Sequence, residues 1–99
     1  MARIHIRRRH HLGIAGARAE VERIAGALAR DLHARYQWEG DELRFKRKGA
    51  AGKIALDEEA IDLRIELGLL LAPLRGTIEE TIRHRLEEAL GPEPDDTTS

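Results

Sequence analysis

The chain has 99 residues, 35% of them charged, a formal net charge of −1 and no cysteine. That length limits it to one domain with one modest core, and the missing thiols exclude disulfides, cysteine nucleophiles and thiolate metal sites. The near-neutral balance argues against a general nucleic-acid binder, and with one Trp, one Tyr and one Phe the core must be aliphatic.

Met1 to Arg7 lacks the apolar run of a signal peptide. The longest near-apolar stretch, Leu67 to Leu74, is far short of the roughly 20 residues that cross a bilayer. A cytoplasmic location is expected. Ile4 and Ile6 alternate with His5 and Arg7, the period of a half-buried strand. The period then changes. Ile14, Ala17, Val21, Ile24, Leu28 and Leu32 recur at three- and four-residue steps and mark the apolar stripe of a helix from near Gly13 to near His33. Gly16 and Gly26 lie off that stripe and each weakens the helix by about 1 kcal/mol relative to alanine, so packing must hold it.

The two-residue period returns in four runs: Tyr36 with Trp38, Leu43 with Phe45, Ile54 with Leu56, and Ile61 through Leu67. Gly40-Asp41, Gly49 to Gly52 and Asp57 to Glu59 separate them as turns. Turns centred on Gly40-Asp41, Ala50-Ala51 and Glu58-Glu59 set Trp38 opposite Leu43, Phe45 opposite Leu56, and Leu56 opposite Ile61. Every apolar side chain of an antiparallel meander then lies on one face. Thr77-Ile78-Glu79-Glu80 reads as a capping box opening a second helix. Ile78, Ile82, Leu86 and Leu90 form its stripe, with Glu79–Arg83 and Glu80–His84 as acid-first pairs one turn apart. From Gly91 to Ser99 the chain offers nothing to bury and reads as a disordered acidic tail. The order β-α-β-β-β-β-α predicts a two-layer α+β sandwich over residues 1–90, with an antiparallel sheet and both helices on one face. The pattern leaves open where the first strand joins.

Catalytic machinery is hard to assemble from these residues. Serine occurs only at Ser99, Thr77 is taken up as a cap, and Glu58-Glu59 sits in a turn. Neither nucleophilic nor paired-carboxylate catalysis finds its parts, so a non-enzymatic protein without catalytic residues or cofactor is expected. Among the histidines, His10 and His11 are adjacent and diverge on regular structure, and no HExxH or HxH spacing occurs. They read as solvated histidines rather than metal ligands.

Two features ask for a function. Arg3, Arg7, Arg8 and Arg9 form one acid-free stretch, and Arg44, Lys46, Arg47, Lys48 and Lys53 another. Gathered on one outer face they would make a polyanion site, with Arg3, Arg7, Arg9, Arg44, Lys46 and Lys48 as its candidates. No aromatic stacking platform accompanies them, because Tyr36, Trp38 and Phe45 fall on the inner face. The second feature is Leu67-Gly68-Leu69-Leu70-Leu71-Ala72-Pro73-Leu74-Arg75-Gly76. Three consecutive leucines cannot all face one core, and Pro73 bars a strand. Leu69, Leu70, Leu71 and Leu74 are therefore candidates for an exposed apolar surface.

The opening Ile4-His5-Ile6-Arg7-Arg8-Arg9-His10, Leu12-Gly13 with Ala17-Arg18-Ala19, Trp38-Glu39-Gly40-Asp41, and above all the block from Glu66 to Glu79 carry a resemblance. Over residues 2–90 the chain resembles the polyhydroxyalkanoic acid system protein family. The resemblance implies a small bacterial protein encoded near genes for polyester storage granules. It brings no catalytic residues, only the motif, with Gly68, Pro73 and Gly76 as backbone-defining positions. It further implies a granule-associated or accessory binding protein whose partner is the granule surface, a granule protein or a second copy in a homodimer.

Two other readings stand beside it. One is a nucleic-acid or polyanion-binding regulator using the arginine-rich strands, whose binding falls steeply with salt. The other is a carrier of a small apolar ligand, marked by a cavity of about 300 Å³ or more under the second helix. With few large side chains to spare, a filled core is expected there instead.

Overall fold

The alternating runs become five strands in the computed structural model, which describes residues 2–91. They are β1 (Ala2–Arg9), β2 (Arg35–Glu39), β3 (Glu42–Arg47), β4 (Ala50–Leu56) and β5 (Ala60–Leu67). Two helices, α1 (Gly13–Leu32) and α2 (Arg75–Leu90), complete the α+β fold, with a 3₁₀ turn at Ala72–Leu74 leading into α2. The tail expected after Gly91 lies outside the described residues. The strands form one antiparallel sheet in the order β1-β5-β4-β3-β2. β1 pairs with β5, setting Ile4 opposite Ile65 and Ile6 opposite Leu63, so the strand whose place the pattern left open extends the dry face to a fifth strand.

Both helices cover that face. Val21, Ile24 and Leu28 of α1 and Ile78, Ile82 and Leu86 of α2 are buried with Ile4, Ile6, Leu43, Ile54, Leu63 and Ile65. Two hydrogen bonds fix the direction of α2. The Arg75 guanidinium donates to the Arg3 carbonyl (2.8 Å) and that of Arg8 donates to the Gly91 carbonyl (3.0 Å), so α2 runs alongside β1 in the same sense. α1 ends where His33 turns left-handed (φ 55°), and Arg47 donates to the last helical carbonyl, Leu32 (2.8 Å). A cation on orphan C-terminal carbonyls is favourable for charge and hydrogen bonding alike.

Three local expectations are corrected. The β3–β4 hairpin turns at Lys48-Gly49, not Ala50-Ala51, so Phe45 faces Gly52 rather than Leu56, and Leu43 faces Ile54. Gly49 holds φ 86° at the second central position, the sign a type II turn needs there. The Phe45 ring lies on Gly52, where an added Cβ would sit 2.8 Å from it. Second, no capping box forms. The 3₁₀ turn runs straight into α2, which begins at Arg75, so Thr77 is already helical and its carbonyl accepts from the Thr81 hydroxyl (3.0 Å). Third, Glu79 pairs with Arg83 as expected (3.1 Å), but His84 reaches Glu88 (3.7 Å) instead of Glu80.

Candidate functional site

The sandwich has two unlike ends. Where β1 stops and α1 starts, polar contacts hold the structure together, with Leu12 and Ile14 left exposed beside them. His10 is buried rather than solvated as expected: its backbone N–H donates to Glu59 (2.9 Å), Nε2–H donates to the Asp57 carbonyl (2.8 Å), and Nδ1 accepts from the Leu12 amide (3.2 Å). Asp57 in turn accepts from the amides of Glu59 and Ala60, which hold its carboxyl below the usual carboxylate range. Arg8 shares the parity of Ile4 and Ile6 and is buried among them, leaving the outer face.

At the opposite end meet the Lys48-Gly49 turn, the end of α1, the start of α2 and the leucine block. The Gly68 amide donates to the Gly49 carbonyl (2.8 Å), clamping the block against the hairpin. Leu69 and Leu70 then project into solvent at 82% and 65% exposure, and Leu74 at 49%. Leu71 does not join them. It turns inward at 9% exposure, packs over Gly49 and belongs to the core, which corrects its candidacy as a surface residue.

Behind this loop the core is not closed over as expected, and a partly open cleft lies against it. A cavity of about 530 Å³ opens between the end of α1, the start of α2 and the sheet. Its apolar walls include Leu32, Phe45, Ile65, Leu67, Leu71 and Ile78. The physical reason is small side chains where two helices terminate. α1 stops at Leu32, and Ala34 and Ala50 line the space that larger residues would fill. Asp31, Arg47, Thr77 and Thr81 add polar groups. Arg47 belongs to the basic stretch but not to the polyanion candidates, and its parity with Leu43 and Phe45 points it inward.

The outer face does not gather the basic candidates into one patch. Arg3, Arg7, Arg9, Arg44, Lys46 and Lys53 share it, but Lys48 lies in the hairpin turn and Arg8 and Arg47 face inward. Strand register lays the side chains out in rows. His5, Arg64, Lys53 and Arg44 are directly opposed in one row, and Asp62 and Glu42 occupy the next. Arg44 bridges Glu42 (2.8 Å) and Glu39 (3.4 Å), Arg7 and Arg64 reach Asp62 (3.4 and 3.1 Å), and Arg3 reaches Glu66 (3.8 Å). Burial opposes the ionisation of Asp62, but hydrogen bonds from His5 and Arg64 and their charges outweigh it and lower its pKa. Exposed pairs of this kind stabilise little, yet they cancel the positive field locally.

The aromatic edge is likewise engaged. Glu22 on α1 accepts from the Tyr36 hydroxyl and from the Trp38 indole (2.7 Å), while Arg18 stacks on Trp38 at 4.0 Å. Those two donors hold the Glu22 carboxyl below its ordinary pKa, and the same bond pushes the Tyr36 phenol up. Among the described residues, no three His, Asp or Glu side chains stand close enough to hold a metal ion, and no helix is long and apolar enough to cross a membrane.

A family model described as "Putative polyhydroxyalkanoic acid system protein" matches residues 4–90, almost the whole described fold. No curated protein and no solved structure matches the chain.

Proposed function

Because the chain belongs to the polyhydroxyalkanoic acid system protein family, we propose that it is a non-enzymatic accessory protein that meets an apolar surface of the storage granule through the end bearing Leu69, Leu70 and Leu74. The observation that carries this reading is the exposure of Leu69 and Leu70, adjacent residues on a loop clamped by Gly68 and Gly49. A soluble fold gains nothing from two neighbouring leucines in water unless something covers them. Covering the three exposed leucines contributes about 3–6 kcal/mol gross. Rigid-body losses take much of this back, so useful affinity requires many copies on one granule. The polyester itself is favoured over a charged partner, because the loop from Leu69 to Leu74 carries no ionisable side chain.

Co-sedimentation with amorphous polyester granules at low and high salt tests the proposal, beside a Leu69→Asp/Leu70→Asp variant. Salt-resistant binding of the native protein, lost in the variant, is expected. Binding that vanishes at high salt points to the basic rows of the sheet instead. No binding at either salt removes direct granule contact.

A further inference from the structure

We propose that the cavity at the leucine end is a binding site for an aliphatic carboxylate, with its chain on Phe45, Ile65, Leu67 and Leu71 and its carboxylate on Arg47. The proposal rests on the cavity and its charges, independently of granule contact. At about 30 Å³ per heavy atom, the share a water takes in the liquid, a space of about 530 Å³ holds no more than roughly 17 heavy atoms. An unbranched acid of up to about fourteen carbons stays within that bound by the same estimate.

The polar lining selects the headgroup. Asp31 is the one carboxylate on the wall, and Arg85 neutralises it at 3.1 Å. Arg47, by contrast, has no carboxylate partner among the described residues. The Arg47 guanidinium donates only to the carbonyls of Leu32 and Lys48 (2.8 and 2.9 Å). Those two bonds use Nη1 and Nε and hold the planar group in place, leaving Nη2 and a second Nη1 hydrogen to donate. A half-buried arginine beside an apolar cavity is thus fixed by helix-end and turn carbonyls with no carboxylate against it, and a carboxylate is the partner its fork fits. A cationic or neutral headgroup leaves that charge unmatched.

Calorimetric titration with decanoate, 3-hydroxydecanoate and decyltrimethylammonium, each below its micellar concentration, reads the selection directly on the native protein. Saturable one-to-one binding of a carboxylate is expected, with the trimethylammonium weaker by about tenfold or more. A preference between the two acids identifies a hydroxy acid or a plain fatty acid as the source. Arg47→Met should weaken decanoate by about tenfold, while Arg47→Lys retains most of the affinity. Ala34→Trp, which fills the cavity from the loop side, should abolish binding without changing the circular dichroism. Leu69→Asp/Leu70→Asp, which leaves the cavity wall alone, should bind decanoate normally whether or not it still meets granules. The proposal falls if decanoate does not saturate, if the cation binds as well, or if a folded Ala34→Trp protein binds undiminished. Should Ala34→Trp fail to fold, the headgroup comparison on the native protein decides by itself.

Discussion

The two ends of this sandwich are built from the same layers and finished in opposite ways. At the His10 end, a buried imidazole uses both ring nitrogens, Asp57 caps its own turn, and Arg8 reaches across to the end of α2. At the Leu69 end, a hydrogen bond between Gly68 and Gly49 clamps the loop, but apolar side chains stand outside and a cavity lies behind them. At the first end His10 and Asp57 satisfy their buried polar groups, although the Arg8 Nε is buried without a partner among the described residues and Leu12 and Ile14 stand exposed beside them. The second end leaves apolar surface uncovered on both sides of Leu71, and uncovered apolar surface is the raw material of binding.

The sharpest break in this comparison lies within the leucine block itself. Leu71→Asp should cost about 3 kcal/mol or more, since it removes a packed side chain and places a charge at the core edge. Leu70→Asp, one residue away, should change stability by less than about 0.5 kcal/mol. Urea unfolding of the two variants separates them, and equal losses would mean that the loop is core throughout. At the other end, His10→Ala should cost about 1–3 kcal/mol, because it leaves the Asp57 carbonyl and the Leu12 amide without their partner. A neutral result would show that this end is held by the sheet alone.

The smallest effect sits between the ends, at Glu22. Its folded pKa lies below the ordinary 4.5 because Tyr36 and Trp38 donate to it. The stabilisation is therefore fully present above that ordinary value and is lost as the pH falls through the lower folded one. The stability difference between the native protein and Glu22→Gln, followed by Trp38 fluorescence, should shrink as the pH drops below about 4. For so exposed a contact the difference should stay under about 1 kcal/mol.

Much of the layering was legible because burial is written in parity. Strand positions that alternate between Leu43, Phe45, Ile54, Leu63 and Ile65 have only one face to share. Parity is also where the reading stopped. Moving the β3–β4 turn from Ala50-Ala51 to Lys48-Gly49 shifts the pairing by an even number of residues, so no side chain changes face and the apolar pattern cannot distinguish the two. What decides is Gly49, which supplies the positive φ, and Gly52, which makes room for the Phe45 ring. The same parity places Arg8 and Arg47 inward, and neither is among the polyanion candidates. The cap at Thr77 failed for another reason. A 3₁₀ turn carrying Pro73 can feed a helix directly, so the helix needs no side-chain cap where the motif suggested one. The cavity was least legible, since a void is a sum over many partial volumes from five separate elements and no single residue announces it.

The pairing of β1 with β5 has a consequence in time. β2 to β5 can zip through successive hairpins, each closing a short loop. β1 emerges first during synthesis, yet its partner strand is the last of the five to be made, and the ladder between them closes the longest loop in the sheet. Until then Ile4 and Ile6 have no ladder to join, and α2, whose ends are tied to the Arg3 carbonyl and to Arg8, has no edge to lie along. Loop-closure entropy therefore favours an order in which the hairpins from β2 to β5 form before the first strand and the last helix dock.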